Sequence, residues 1–164
     1  MSLLTPDLYY RTVLGIDLDE LTRRGVRALL LDLDNTLLPR DTGIVAEEYT
    51  QWLRHAKDAG FGVAIVSNNW HGHVQQIADE LGLDISGKAL KPFPQAFRRA
   101  MAALDVRPHE VAVIGDQLFT DVLGGKLLGA TTVLVEPLSR TDLPHTLLLR
   151  LIERRILADR EPLG

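Results

Sequence analysis

The sequence predicts an α/β fold whose central sheet is mainly parallel and covered by helices on both faces. Four short apolar runs are rich in β-branched residues and lack polar alternation, which is typical of strands buried on both faces: residues 26–33, 61–67, 110–115 and 130–135. Helix-patterned segments lie between them, at residues 45–59, 71–81, 94–104 and 119–128. Strands that alternate with helices form right-handed βαβ units, so a three-layer sandwich is expected.

The rest of the chain adds a few elements to this frame. We expect a short fifth strand near residues 88–90, an N-terminal arm over residues 1–25 and a C-terminal helix within residues 144–164. No internal repeat, low-complexity tract or linker interrupts the 164 residues. Because a chain of this length suits one hydrophobic core, the sequence predicts a single domain over residues 1–164.

Composition restricts the class of protein. The chain is 46% hydrophobic and 24% charged, carries a net charge of -4 and contains no cysteine, so disulfides and thiolate chemistry are excluded. The mild negative charge, without a basic stripe, gives no electrostatic case for nucleic acid. The N-terminal residues lack the basic region of a signal peptide, and no apolar run reaches the ~20 residues of a membrane span. We therefore expect a cytoplasmic protein.

Polar residues follow three of the predicted strands directly. The first strand runs into Asp32 and Asp34, the second into Ser67, and the third into Asp116. Ligands of open α/β sheets bind outside the carboxyl ends of the strands. These side chains are therefore expected to meet at one edge of the sheet.

The acids among these residues predict a metal site. Asp32, Asp34 and Asp116, together with Asp121, cannot all remain ionised close together without a cation. An oxygen-rich, sulfur-free set of this kind favours Mg²⁺, which binds a few carboxylates and completes its octahedron with water and substrate phosphate. The part played by Asp121 stays open, since an acid in the first turn of a helix is favoured by the helix dipole in any case.

The remaining polar residues predict a phosphate site beside the metal. Ser67 offers a hydroxyl, the backbone amides of Asn68 and Asn69 offer donors, and Lys91 brings a positive charge in a loop fixed by Pro92. An acid pair, a hydroxyl, a lysine and a second acid group together favour phosphoryl transfer through an aspartyl phosphate.

The order DLDNT, SNN, KP and GDQLFTD resembles the four motifs of the haloacid dehalogenase (HAD) superfamily of phosphatases. The closer resemblance, over roughly residues 4–136, is to the YqeG-like group of subfamily IIIA. That family includes phosphatases that act on phosphatidylglycerophosphate. The resemblance implies a HAD-like Rossmannoid three-layer sandwich. One departure is Lys126, where the pattern has Asn, and it lies beyond the motif.

The resemblance also implies a role for each matching residue. Asp32 would be the nucleophile, and Asp34 the general acid and base whose backbone carbonyl also binds Mg²⁺. Asp116 would complete the metal site. The supporting and phosphate-binding positions would be Thr36 and Asp121 for support, and Ser67, Asn68 and Lys91 for phosphate.

The spacing of the motifs leaves no room for an inserted cap domain. Only 35 positions separate Asp32 from Ser67, and 24 separate Ser67 from Lys91, and the predicted helices and strands use nearly all of them. An open site of this kind excludes water poorly around a small metabolite but admits large substrates. The substrates to be considered are a lipid headgroup, with phosphatidylglycerophosphate implied by the resemblance, or a protein, nucleotide or sugar phosphate.

Several alternatives stay open or are disfavoured. A non-catalytic docking module of the same fold is the rival to an enzyme, whereas a receiver domain is disfavoured because Lys91 precedes the Asp116 strand. His71 and His73 are not expected to hold a metal, and Trp70 borders the site. The C-terminal helix carries apolar residues at helical spacing with Arg150 and two other arginines among them. It either packs on the sheet with its arginines in water or makes peripheral contact with anionic lipid at the inner membrane face.

Overall fold

Strands and helices alternate along the chain in the computed structural model, which describes residues 2–69, 72–86, 88–142 and 144–164. The strands are β1 (Leu8–Tyr10), β2 (Ala28–Leu31), β3 (Gly62–Val66), β4 (Asp84–Ser86), β5 (Val111–Gly115) and β6 (Thr131–Val135). The α-helices are α1 (Leu18–Arg23), α2 (Glu47–Asp58), α3 (Gly72–Leu81), α4 (Gln95–Leu104), α5 (Leu123–Leu128) and α6 (Pro144–Ile156). Short 3₁₀ turns span Val13–Gly15 and Pro108–Glu110, and a π-helical turn spans Leu118–Val122.

The six strands form one sheet in the order β1-β6-β5-β2-β3-β4, and the neighbouring strands pair in parallel. The predicted α/β fold with a parallel central sheet is confirmed. Strand β2 lies between β3 and β5, with Ala28 opposite both Gly62 and Val111. The loops after these three central strands therefore emerge side by side, which places the predicted motifs together.

Each face of the sheet is covered by its own group of helices. Along β2 alternate side chains point to opposite faces: Leu29 and Leu31 join the core that includes Trp52 of α2, whereas Leu30 joins the core that includes Phe97 of α4. Both cores are made of fully or almost fully buried apolar residues. Because successive side chains of one strand pack into opposite cores, helices cover both faces of the sheet in a three-layer arrangement.

The structure corrects two details of the predicted elements. The additional short strand is β4, Asp84–Ser86. The prediction of a strand at residues 88–90 was wrong, because Lys88 and Leu90 adopt φ angles of 52° and 47°, which are outside the range of β-strands. The N-terminal arm also contributes β1, which pairs with β6 at the edge of the sheet. A backbone hydrogen bond of 2.7 Å from Leu163 N to Tyr9 O brings the C-terminal residues beside that strand.

Lys126, which differs from the asparagine of the family pattern, forms an ion pair with the N-terminal arm. Its ammonium group pairs with the carboxylate of Asp7, which also accepts hydrogen bonds from the backbone and hydroxyl of Thr132 at 2.8 and 2.9 Å. Asp7 therefore fastens the arm to α5 through Lys126 and to the start of β6 through Thr132. In the part of the chain that the structure describes, no helix is long and apolar enough to cross a bilayer.

Candidate active site

The loop after β2 is a tight turn that fixes the two leading acids. Asn35 has a φ of 60°, a left-handed conformation that asparagine tolerates better than most residues. The backbone amide of Asn35 donates a hydrogen bond to Leu38 O at 2.7 Å. The turn places the Thr36 hydroxyl 3.4 Å from Asp32 Oδ2 and 3.5 Å from Asp116 Oδ1. Thr36 therefore links the ends of β2 and β5.

Lys91 lies at the centre of the acid cluster. Its Nζ is 2.7 Å from both Asp32 Oδ1 and Asp121 Oδ1, and its side chain is only 3% exposed. Burial by itself lowers the pKa of Lys91, but the carboxylates of Asp121 and Asp32 outweigh that effect and raise it. The lysine is therefore a permanent cation in the site.

Asn68 holds Lys91 in this position. The Lys91 backbone amide donates to Asn68 Oδ1 at 2.7 Å, and Asn68 Nδ2 donates to Lys91 O at 3.3 Å. The loop after β3 is thus tied to the lysine loop by a reciprocal pair of hydrogen bonds. The oxygen and the nitrogen of the Asn68 side-chain amide are therefore both engaged within the protein.

The end of β5 supplies two further acids, Asp116 and Asp121. A Cβ on Gly115 would lie 2.2 Å from Asp121 Cγ, so only glycine lets that carboxylate lie against the strand. The Asp121 carboxylate also accepts a hydrogen bond from Gln117 N at 3.3 Å. Among the described residues, Asp32, Asp116 and Asp121 each offer a carboxylate oxygen within 4.8 Å of the other two. The structure thus brings Asp121 into the cluster.

The pKa values of the two buried acids reflect this crowding. Burial raises the pKa of Asp116 well above its ordinary value, and the nearby Asp32 adds to the rise against the opposing effect of Arg150. Burial likewise raises the pKa of Asp121 to about 6, although Lys91 counteracts it. Three carboxylates face two cations, so the cluster retains an excess of negative charge when all five groups are ionised.

Asp34 lies beside this cluster and faces the loop after β3. Its Oδ2 accepts a hydrogen bond from Asn69 Nδ2 at 2.9 Å, while the Asn69 backbone amide donates to Ser67 Oγ at 3.0 Å. Asp34 and Ser67 are therefore linked through one asparagine, whose side chain the sequence reasoning did not single out. The signal was present, since Asn69 is the last residue of the SNN motif.

A pocket of about 270 Å³ opens above Asp32, Asp34, Ser67 and Lys91. Part of its lining comes from α6, through His145, Thr146 and Leu149. The described residues between the motifs form no cap domain, yet a helix from the C-terminal segment lines part of the site. Trp70 and His71 lie outside the described residues, and His73 contacts Gly43 O at 3.2 Å.

Helix α6 presents its polar side to the protein, which the sequence reasoning did not foresee. The prediction that its arginines lie in water was wrong for Arg150, whose side chain is 12% exposed. Arg150 pairs with the carboxylate and the backbone carbonyl of Asp116, and with Asp142 and Glu153 at 3.1 Å each. The apolar residues of the helix are instead exposed, namely Leu147, Leu148, Leu151, Ile152 and Ile156.

The donor set of this cluster fits a divalent cation with a preference for oxygen. The three carboxylates converge closely enough for one ion, and their negative charge exceeds that of the neighbouring cations. Hard cations such as Mg²⁺ bind one or two carboxylates and keep several waters. Asp34 joins this set in the predicted scheme through its backbone carbonyl, which follows Asp32 by two residues.

The chain belongs to the haloacid dehalogenase-like hydrolases, since the model of that family matches residues 15–129. Within this family the chain is a phosphatase of the subfamily to which YqeG belongs. It is 38% identical to the protein of Bacillus subtilis named "Probable phosphatase YqeG" over 153 residues, which cover 93% of this chain and 89% of the relative. The predicted resemblance and the prediction of an enzyme are confirmed.

The chain is also similar to proteins whose names give different phosphatase substrates. It is 28% identical to phosphatidylglycerophosphate phosphatase 1 of Arabidopsis thaliana, covering 93% of this chain and 46% of that longer protein. Among solved structures, the cobalt-bound octulosonate 8-phosphate phosphatase of Haemophilus influenzae has a TM-score of 0.56 at 16% identity, with coverage of 82% and 89%. A subfamily IIIA hydrolase of Legionella pneumophila has a TM-score of 0.53 at 19% identity, with coverage of 80% and 75%. These structural similarities concern the fold.

Proposed function

We propose that the protein is a Mg²⁺-dependent phosphomonoester hydrolase that works through an aspartyl phosphate on Asp32. The observation that carries this proposal is the convergence of Asp32, Asp116 and Asp121, with the Lys91 ammonium paired to Asp32 and Asp121 and with Asp34 lining the same pocket as Asp32 and Lys91. A carboxylate nucleophile, a permanent cation and a second carboxylate are the parts that phosphoryl transfer to aspartate requires.

In the first step, a carboxylate oxygen of Asp32 attacks phosphorus while the bond from phosphorus to the leaving oxygen breaks. Asp34, in its protonated form, donates its proton to that oxygen. In the second step, Asp34 accepts a proton from a water molecule, whose oxygen attacks phosphorus and releases phosphate and the Asp32 carboxylate. Asp34 is suited to both tasks because it lies in the pocket and its carboxylate is held by Asn69 at 2.9 Å.

The phosphate oxygens are received by the loop after β3 and by Lys91. Ser67 contributes its hydroxyl and Asn68 its backbone amide, while the Lys91 ammonium, already 2.7 Å from Asp32, neutralises charge next to the nucleophile. Thr36 and Asp121 position Asp32, Asp116 and Lys91 relative to one another through the contacts described above. Ser67, Asn68 and Lys91 thus bind the phosphate, and Thr36 and Asp121 orient the groups around it.

The metal would be held by Asp32, Asp116 and the backbone carbonyl of Asp34, with Asp121 in support. When bound, Mg²⁺ supplies positive charge to the transferring phosphoryl group and lowers the repulsion between that group and Asp32. The residues on this chain fix where that charge sits. Arg150 and Thr36 both contact Asp116, and Lys91 contacts Asp32, so both acids are held in fixed orientations.

For the substrate, we propose a phosphomonoester on a lipid headgroup of the phosphatidylglycerophosphate class. Three observations support this choice: the described residues form no cap domain over the pocket, α6 lines part of the pocket and exposes a row of leucines along the neighbouring cavity, and a relative carries that activity in its name. Exposed Arg154 and Arg155 flank the leucines and would favour anionic lipid. The proposed location is cytoplasmic and peripheral at the inner membrane face.

The chemistry is tested by hydrolysis of an aryl phosphate with and without Mg²⁺. Asp32→Asn keeps the size of the side chain but removes the attacking carboxylate, so turnover should fall at least about a thousandfold. Asp58→Asn on the exposed surface of α2 makes the same change outside the pocket and should leave turnover unchanged. An Asp32→Asn variant that keeps a tenth of the wild-type rate would remove Asp32 from the role of nucleophile.

The substrate class is tested by phosphate release from a matched panel. Phosphatidylglycerophosphate in vesicles is compared with soluble glycerol phosphate, a sugar phosphate, a nucleotide and a phosphopeptide. We expect the highest kcat/KM for the lipid and a further rise when the vesicles contain anionic lipid. A soluble substrate that exceeds the lipid would leave the phosphatase chemistry intact and replace the lipid as the substrate class.

A further inference from the structure

The Arg150 guanidinium lies in contact with the proposed metal ligand Asp116, although no motif of the sequence predicts it. The family model ends at residue 129, so Arg150 lies 21 positions beyond it. The guanidinium bonds the Asp116 carboxylate at Oδ2 and also bonds the Asp116 backbone carbonyl. One side chain therefore fixes both the main chain and the side chain of the residue that ends β5.

The two oxygens of the Asp116 carboxylate have different surroundings. Oδ2 pairs with Arg150, whereas Oδ1 faces the Thr36 hydroxyl at 3.5 Å, and that hydroxyl lies 3.4 Å from Asp32 Oδ2. With Oδ2 occupied, the carboxylate cannot rotate freely about its terminal bond. The other oxygen, Oδ1, shares the Thr36 hydroxyl with Asp32 and so lies on the side of Asp32, where the three carboxylates converge.

Arg150 approaches Asp116 from outside the substrate pocket. Both residues line a second cavity of about 880 Å³, which runs between α6 and the loop after β6. Neither is among the described residues that line the pocket above Asp32 and Lys91. A guanidinium that came through the substrate pocket would compete with a metal for the cluster. Because Arg150 contacts Asp116 Oδ2, it leaves Asp116 Oδ1 available to a metal.

The guanidinium is itself held in place on two sides. Its Nε donates to Asp142 Oδ2 at 3.1 Å, and the other oxygen of Asp142 lies 3.4 Å from Asn35 Nδ2 in the turn after β2. Its Nη1 donates to Glu153 Oε2 at 3.1 Å, while Glu153 Oε1 accepts from Leu118 N at 2.7 Å. The arginine thus joins α6 to the turns that follow β2 and β5.

We infer that Arg150 is a positioning residue for the metal site, which holds Asp116 Oδ1 toward Asp32 and so prepares the cluster for a divalent cation. The inference rests on the proposed function in so far as the cation is the one proposed there. Partners that orient a ligating carboxylate typically contribute ten- to a hundredfold in metal affinity or activity. A planar fork with fixed donors can do this in a way that a lysine cannot.

The test is Mg²⁺ titration by calorimetry of the wild type and of Arg150→Met, Arg150→Lys and Arg155→Met. We expect the Kd for Mg²⁺ to rise about tenfold or more in both Arg150 variants. Arg155→Met removes an exposed arginine from the same helix and should leave the Kd unchanged. Turnover of an aryl phosphate by Arg150→Met should recover at saturating Mg²⁺, because Asp116 is still present; a general loss of structure would not be rescued in this way.

The outcomes separate the inference from the proposal beneath it. An unchanged or tighter Kd in Arg150→Met would overturn the positioning role, and a tighter one would show that Arg150 competes with the metal. If Arg150→Met does not fold, Arg150→Lys decides the question, since it keeps the buried positive charge and loses only the fork. A wild type that binds no Mg²⁺ would instead overturn the proposed metal site, and the inference with it.

Discussion

Helices α4 and α6 are both amphipathic, but they turn opposite kinds of face toward the protein. Helix α4 buries Ala96, Phe97, Ala100 and Met101 against the sheet. In α6 the buried residues are Thr146 and Glu153, and the apolar residues Leu147, Leu148, Leu151 and Ile152 are between 47% and 65% exposed. Both helices are therefore amphipathic, but α4 buries its apolar side and α6 buries its polar side.

The difference arises from what each helix lies against. Helix α4 covers the apolar face of β2, β3 and β5, so the hydrophobic effect selects its apolar side. Helix α6 lies over the carboxyl ends of the strands, where Asp116 and the Leu118 amide need charged or polar partners. Amphipathic periodicity therefore identifies a helix, but the surface beneath it decides which side is buried.

The largest effect should follow from truncation on the apolar side of α4. Phe97 is fully buried, and Phe97→Ala should lower the free energy of unfolding by about 3–5 kcal/mol through lost burial and a cavity. Phe93→Ala, two residues before the helix at a position that is 63% exposed, is the matched control and should change little. Chemical denaturation measures both. Equal losses would mean that α4 does not pack as described.

A smaller effect should follow from breaking the polar attachment of α6. Glu153→Ala removes the acceptor of Leu118 N and one partner of Arg150, and an unsatisfied buried donor costs about 1–3 kcal/mol. The exposed Glu161 offers a control through Glu161→Ala. If Glu153→Ala unfolds at the same denaturant concentration as the wild type, the polar face of α6 does not hold the helix in place.

The smallest effect on stability should come from the apolar side of α6. Leu148 is 65% exposed, so Leu148→Ala should change the free energy of unfolding by less than about 0.5 kcal/mol. Leu53→Ala at a position that is 2% exposed makes the same substitution inside the core and should cost about 2–5 kcal/mol. Leu148→Ala should nonetheless weaken sedimentation with anionic vesicles. A large loss of stability would show that this side of α6 is covered within the protein.

Much of the fold followed from the sequence because the strands are buried on both faces. Such strands have a simple apolar pattern, and the four predicted ones all appear, with Asp32, Ser67 and Asp116 at their ends. Strand β1 was missed because Leu8–Tyr10 is only three residues long and depends on pairing with β6. The strand predicted at residues 88–90 lay too late because the apolar pattern does not report the positive φ angles of Lys88 and Leu90.

The candidate site was predicted where residue type and strand order determine it, and was missed where long-range packing does. The loops at the ends of β2, β3 and β5 meet because those strands are neighbours. The contact between Arg150 and Asp116 spans 34 residues and depends on the orientation of α6, which the apolar pattern misrepresents. The one local signal was the spacing of Arg150 and Glu153, an ion pair three residues apart within a leucine-rich helix.

The roles of the acid pair lead to the most direct test of the proposed mechanism. In Asp34→Asn the proposed nucleophile Asp32 remains, but the group proposed to donate the proton and to activate water is lost. The aryl oxide that leaves from an aryl phosphate needs little protonation. The first step with an aryl phosphate should therefore survive far better than the first step with an alkyl ester such as glycerol phosphate. Hydrolysis of the phosphoenzyme should become slow with either substrate.

Rapid-quench labelling of Asp34→Asn with a radioactive aryl phosphate measures this directly. We expect a burst approaching one phosphate per protein, larger than in the wild type, with the label on Asp32 when the digested protein is analysed by mass spectrometry. Asp32→Asn in the same background should abolish the burst. Equal losses of activity on the aryl and alkyl substrates, with no trapped label on Asp32, would contradict the aspartyl-phosphate mechanism.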